Sequence, residues 1–141
     1  MARMIAIDYG LKRVGLAVTD PLQLIATPLI TVPTAEVFAF LETYLQKESV
    51  EAFVVGYPGD IRDRFAPIII AIHEFIQVLC KKFPTQQIFQ QDERYTSKLA
   101  AASLVEGGFK KKDRRNKANI DKLSATLILQ SFLASSKYKA V

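Results

Sequence analysis

Hydrophobic and polar positions along this chain change period several times, and each change marks an element. Met4 to Asp8 is a short apolar run ending in a carboxylate, and Val14 to Val18 is a second, closed by Thr19, Asp20 and Pro21. The Tyr9-Gly10-Leu11-Lys12 stretch between them is too short for a parallel crossover, so the two runs predict an antiparallel hairpin. Leu24 to Val32 predicts a third strand, and Pro28 within it, lacking an amide hydrogen, puts that strand at a sheet edge. From Thr34 the period becomes helical, with Val37, Phe38, Phe40, Leu41, Tyr44 and Leu45 on one side and Thr34 as the expected N-cap. Glu51 to Gly56 holds Ala52-Phe53-Val54-Val55, an unbroken apolar run suited to a strand covered on both faces. Phe65 to Phe83 predicts a long helix with Ile68, Ile69, Ile72, Phe75, Ile76, Leu79 and Phe83 on one broad face, Pro67 in its first turn and Pro84 beyond its end. Gln87 to Glu93 reads as a fifth strand, Ser97 to Glu106 as a helix stopped by Gly107-Gly108, and Asn119 as the cap of a last helix reaching about Ser136.

Three strands followed by helix, strand, helix, strand and two helices predict an α/β fold. Its five-stranded mixed sheet has the first, fourth and fifth strands parallel and helices on both faces. Ligands of such open sheets bind beyond the carboxyl ends of the parallel strands. A length of 141 residues, half of them hydrophobic, predicts one domain over 1–141 with a core of its own. No repeat or linker interrupts it.

Charge and cysteine content narrow the setting. The apolar start stops at Asp8, short of a signal-peptide core, and no apolar run approaches the ~18 residues that cross a bilayer. A cytoplasmic protein without a membrane partner is therefore expected. Cys80, the single cysteine, has no partner for an internal disulfide, and its apolar helical surroundings predict a small buried thiol. The net charge of +5 is concentrated in one segment: Lys110, Lys111, Lys112, Arg114, Arg115, Lys117 and Lys122 stand against Asp113 and Asp121. Such a run reads either as a solvated loop or as an arm for a phosphate backbone, bound through counterion release. No aromatic residues interleave it, so it is not a stacking platform.

Three carboxylates fall where a ligand crevice is expected. Asp8 ends the first strand and Glu93 the fifth, which brings both to one rim of the sheet. Asp121 lies on the stripe that Ala125, Ile128 and Phe132 continue in the last helix, and an acid on a buried helix face is costly unless paired or metal-bound. Each residue has an ordinary structural use as well: Asp8 as a turn initiator, Glu93 as an ion-pair partner of Arg94 or Arg13, Asp121 as a first-turn acid complementing the helix dipole. Their convergence on one rim argues further, because like charges kept together repel. Hard divalent cations with oxygen ligands, Mg²⁺ or Mn²⁺, relieve that repulsion. Competing sites lack support. One histidine, His73, and one cysteine cannot build a zinc site, and there is no Ser/His motif and no Gly-Lys-Ser/Thr phosphate loop.

The stretches Asp8-Tyr9-Gly10-Leu11-Lys12-Arg13-Val14-Gly15-Leu16-Ala17, Val54-Val55-Gly56-Tyr57-Pro58, Asp92-Glu93-Arg94-Tyr95-Thr96-Ser97 and Asp121-Lys122-Leu123-Ser124-Ala125 resemble, in order and spacing, the YqgF/RuvX family. Its members are described as Holliday junction resolvases or as nucleases maturing the precursor of small-subunit ribosomal RNA. The resemblance covers essentially the whole chain. It implies a ribonuclease H-like fold and metal-dependent phosphodiester hydrolysis, with Asp8, Glu93 and Asp121 as the catalytic, metal-holding acids of a two-ion site. Lys12, Arg13, Arg94 and the Lys110, Lys111, Lys112, Arg114, Arg115 and Lys117 arm are expected to hold the substrate backbone without reading bases. One departure stands out: Pro58-Gly59-Asp60-Ile61-Arg62-Asp63-Arg64 replaces the family's Pro-Leu-Asn-Met-Asp-Gly-like loop, which leaves open whether Asp60 or Asp63 supplements or replaces Glu93 as the second ligand. The expected substrate is structured RNA, in free or ribosomal precursor particles, with four-way DNA as the alternative; the active unit is a monomer or homodimer. Two other readings are an ATP-binding member of the related actin-like fold, for which the chain is short, and a non-catalytic RNA-binding assembly factor.

Overall fold

The computed structural model describes residues 2–57, 66–92 and 117–139, the last stretch with side chains over 123–135. The elements are β1 (Arg3–Tyr9), β2 (Arg13–Thr19), β3 (Ala26–Pro33), a 3₁₀ turn (Thr34–Glu36), α1 (Val37–Lys47), β4 (Val50–Tyr57), α2 (Pro67–Lys82), β5 (Gln87–Asp92) and α3 (Lys117–Lys139). The strands form one sheet in the order β3-β2-β1-β4-β5. β1 and β2 are an antiparallel hairpin, while β1 with β4 and β4 with β5 are parallel. This is the mixed α/β sheet that the hydrophobic pattern predicts. β3 lies on the edge as Pro28 requires, and its register with β2 slips at Leu16 and Ala17, skipping Leu29 just after that proline.

Alternation along the strands divides the core in two. Ile5, Ile7, Leu16, Phe53 and Val55 face α1 and α2, where they pack with Val37, Leu41, Ile72, Phe75 and Leu79. Met4, Ala6, Ala17, Ala26, Ala52 and Val54 face Ala125, Ile128 and Leu129 of α3. Each large side chain so buried contributes about 1.5–3 kcal/mol. At the amino end of β1, the buried Thr19 hydroxyl accepts the Met4 amide at 2.9 Å, so the polar atom on that floor is satisfied.

Three expectations change. Thr34 does not cap α1: its hydroxyl donates to the Gly10 carbonyl at 2.7 Å and its amide to that of Lys12 at 3.0 Å, which ties the 3₁₀ turn to the β1–β2 turn. A tertiary acceptor has taken the group that local capping would use. Asn119 lies within α3, which begins at Lys117. Cys80 is exposed, because α2 buries the stripe Ile69, Ile72, Phe75 and Leu79 and residue 80 is turned about 100° away from Leu79. The predicted helix Ser97–Glu106, its Gly107-Gly108 stop, and the loop bearing Asp60 and Asp63 lie outside the described residues.

Candidate active site at the carboxyl ends of the parallel strands

β1, β4 and β5 end together. The register that matches Ile7 with Val55 brings Asp8 level with Gly56, which pairs with Gln91; one residue further, Tyr57 pairs with Asp92. On its other side Asp8 pairs with Gly15 of β2. The half-buried Asp8 is therefore flanked in the sheet by two buried glycines, neither of which carries a side chain. Because Met4 and Ala6 face α3, the period of two puts Asp8 on that same side. Tyr9, one residue on, faces the opposite way and packs against Phe75 of α2 with ring centroids 4.5 Å apart and the rings tilted by 37°. Burial raises the Tyr9 phenol pKa, and the negative charge of Glu74 adds to it.

The turn after Asp8 is tightly built. A Cβ on Gly10 would lie 2.5 Å from the Arg13 carbonyl oxygen, so this position admits only glycine without movement of the hairpin. Lys12, in that turn, is exposed and open to solvent; Arg13, at the start of β2, is half-buried and has interaction partners. At the opposite end of the hairpin, the Asp20 carboxylate accepts the amides of Leu22, Leu24 and Ile25 at 3.0, 2.8 and 2.7 Å. Those hydrogen bonds, the one from Ile25 foremost, lower the Asp20 pKa. Gln23, held at φ 59° in this loop, anchors it through its amide to the Ala2 carbonyl. Asp20 serves the loop and lies at the far end of the strands from Asp8.

Asp121 falls in the early turns of α3, as a backbone position. Glu93 follows directly on β5, and it, Arg94, Lys110, Lys111, Lys112, Arg114 and Arg115 lie outside the described residues; Lys117 is the first residue of α3. Among the described residues no three of His, Cys, Asp and Glu group as a metal site, so Asp8 is the one carboxylate of the trio whose setting is visible. His73 is exposed on α2 in ring contact with Tyr57, a role that residue spacing alone did not signal. Among the described residues no helix is long and apolar enough to span a membrane.

Five strands in this order, with helices on both faces and an acid ending the central strand, define the ribonuclease H-like class. The same fold occurs in Thermus thermophilus RuvC, in the structures described as "T. thermophilus RuvC in complex with Holliday junction substrate" (TM-score 0.57, 17% identity) and "Thermus thermophilus RuvC structure" (TM-score 0.54, 18% identity), each covering 96% of both chains. Within that class the RuvX family model, described as Holliday junction resolvase, matches residues 2–135, and the chain belongs to this family. It is 72% identical over 137 residues to a protein of Amoebophilus asiaticus named "Putative pre-16S rRNA nuclease", covering 97% of each. A protein of Phocaeicola vulgatus with the same name is 49% identical, over 98% of this chain and 99% of its own. The chain is thus a nuclease, a hydrolase of phosphodiester bonds in nucleic acid.

Proposed function

We propose that this chain, acting as one domain in the cytoplasm, hydrolyses phosphodiester bonds in the precursor of 16S ribosomal RNA, with Asp8, Glu93 and Asp121 as its catalytic carboxylates. The observation that carries the reading is Asp8 on the central strand end, between Gly15 and Gly56, on the side that α3 covers. Two features support the other acids. Ser135 lines a cleft with Met4, Ala52 and Gln87 at the amino ends of the strands, so α3 leads back from there, at 1.5 Å per residue, toward the carboxyl ends as residue 121 is approached. Asp121 precedes the fully buried Ala125 by one turn. On β5, whose last residue Asp92 directly precedes Glu93 in the sequence, Phe89 packs against Phe132 of α3 with ring centroids 4.9 Å apart.

The donor set fits Mg²⁺ or Mn²⁺: hard carboxylate oxygens, with bare backbone on either side of Asp8. A bound divalent pair would supply Lewis acidity, making water a usable nucleophile near neutral pH and offsetting charge on the departing 3′ oxygen. The chain's own contribution is positional. Asp8 is held by the paired ladders of β2 and β4. Exposed Lys12 offers an ammonium to a phosphate crossing the rim, Arg13 and Arg94 add positive charge to the same substrate, and the Lys110, Lys111, Lys112, Arg114, Arg115 and Lys117 arm holds the flanking backbone.

The name shared by the relatives from Amoebophilus and Phocaeicola favours precursor ribosomal RNA, free or in its particle. The family description favours a second reading, junction cleavage, in which two copies cut symmetric strands. Incubating the purified protein with precursor 16S RNA and with synthetic four-way junctions, in Mn²⁺ or in chelator, decides between them. RNA trimming that needs Mn²⁺ and is lost in Asp8→Asn is expected. Paired nicks in the junction with intact RNA would replace the first reading by the second, and salt-sensitive RNA binding without cleavage would overturn both.

A further inference from the structure

On the α2 side of the same rim stands an aromatic pair that the reading above does not use. Tyr57 is the last residue of β4, half-buried, and its ring meets the exposed His73 ring of α2 edge-on, with centroids 6.2 Å apart and planes at 62°. Tyr9, in the corresponding position on β1, is closed off by Phe75, which also stacks on Phe38. Tyr57 has no such cover among the described residues, and none of them hydrogen-bonds its hydroxyl. A tyrosine held only for packing ordinarily places its hydroxyl on a partner. Strand spacing of about 4.8 Å and a rise of about 3.3 Å put the Cα of Tyr57 some 6 Å from that of Asp8. That is about one nucleotide step along an extended strand.

We propose that Tyr57, backed by His73, is a specificity-determining residue: an unpaired base next to the scissile phosphate stacks on this ledge, so that single-stranded RNA is preferred to duplex. This rests on the nuclease reading of the Asp8 rim. A phosphate at Asp8 on the α3 side leaves its neighbouring base free to turn toward the α2 side, where an aromatic face is available. Stacking asks only for a π-face and accepts any base. A base locked in a duplex is already stacked and cannot reach the ledge without being pulled out. Lys12, exposed at the hairpin, supplies the charge that the ledge lacks.

The test uses the full-length protein, with Tyr57→Leu, Tyr57→Phe and His73→Ala. Probes are an RNA duplex with a single-stranded tail carrying 2-aminopurine beside the junction, and the same duplex blunt-ended. Binding is read in chelator, where no cleavage competes, and cleavage separately in Mn²⁺. The expected result is 2-aminopurine quenching on the tailed RNA, about ten-fold weaker binding and higher KM in Tyr57→Leu with kcat little changed, and rescue by Tyr57→Phe. His73→Ala should give a smaller loss in the same direction, and thermal melting confirms that the variants fold. Equal KM for Tyr57→Leu and the parent on tailed RNA, or the same loss on blunt duplex, would overturn the ledge while leaving the nuclease intact. Tyr57-dependent quenching without cleavage in Mn²⁺ would overturn the nuclease reading and keep the ledge.

Discussion

Beneath α1 and α2 the sheet presents Ile5, Ile7, Leu16, Phe53 and Val55, whereas beneath α3 it presents Met4, Val54 and the four alanines Ala6, Ala17, Ala26 and Ala52. The first face fills its space with branched and aromatic side chains that reach Ile72, Phe75 and Leu79. The second leaves its space to the helix, whose backbone can approach the strands closely. The difference follows the chemistry. An aliphatic layer of that volume on the α3 side would hold the helix away from the strand ends, and the carboxylate of Asp8 shares that side with Ala6. A shift of one residue in β1 would exchange Ile7 with Asp8, burying a charge against α2 and stranding isoleucine on the rim. Fold and site are therefore fixed by the same alternation.

Five changes test this contrast. Asp8→Asn, nearly isosteric, should leave melting unchanged and reduce Mn²⁺-dependent cleavage by about a thousand-fold or more, measured in single-turnover assays. On the aliphatic face, Leu79→Ala or Ile72→Ala removes a fully buried side chain and should lower the unfolding free energy by about 2–5 kcal/mol in urea titration. On the alanine face the damaging direction reverses. Ala17→Leu or Ala6→Val adds volume where α3 sits and should cost about 1–3 kcal/mol, with a loss of activity larger than that of an equally destabilised α2 variant. Equal activity losses from both faces would mean that α3 spacing does not govern the site. Gly10→Ala forces the Arg13 carbonyl aside and should lower cleavage through the displaced Asp8 turn, with a smaller effect on melting temperature.

Asp20 carries the smallest effect and a defined pH signature. Its pKa is lowered by the amides it accepts, so its contribution is present above the unfolded carboxylate value, near 3.9, and fades as pH falls through the lower folded value. Asp20→Asn should flatten the melting temperature between about pH 5 and 2 relative to the parent, while activity at neutral pH stays the same.

Much of this was legible in the residues. Pro28 placed β3 on the edge because a missing amide hydrogen cannot serve a central ladder, and the turn between Asp8 and Val14 was too short for anything but a hairpin. The period of α2 marked its buried stripe. Cys80 was misjudged because an apolar neighbourhood in sequence spans the whole helix circumference, and only the packed stripe shows which side is wet. Thr34 and Asn119 have the chemistry of caps, but Thr34 found its acceptor in Gly10, far away in sequence, and α3 began before Asn119. The partnership of Tyr57 with His73 left no local trace at all.

What the sequence determined by itself was periodicity and inventory: which stretches alternate by two or by 3.6, and that three acids and a basic arm were available, because these depend on residues within a turn or two of one another. Tertiary structure alone decided that Asp8 stands between Gly15 and Gly56, that among the described residues Tyr9 meets Phe75 while Tyr57 meets His73, and that alanines meet α3. Those outcomes depend on which distant segments share a face, and that is settled only when the ladders close and the side-chain volumes have to fit.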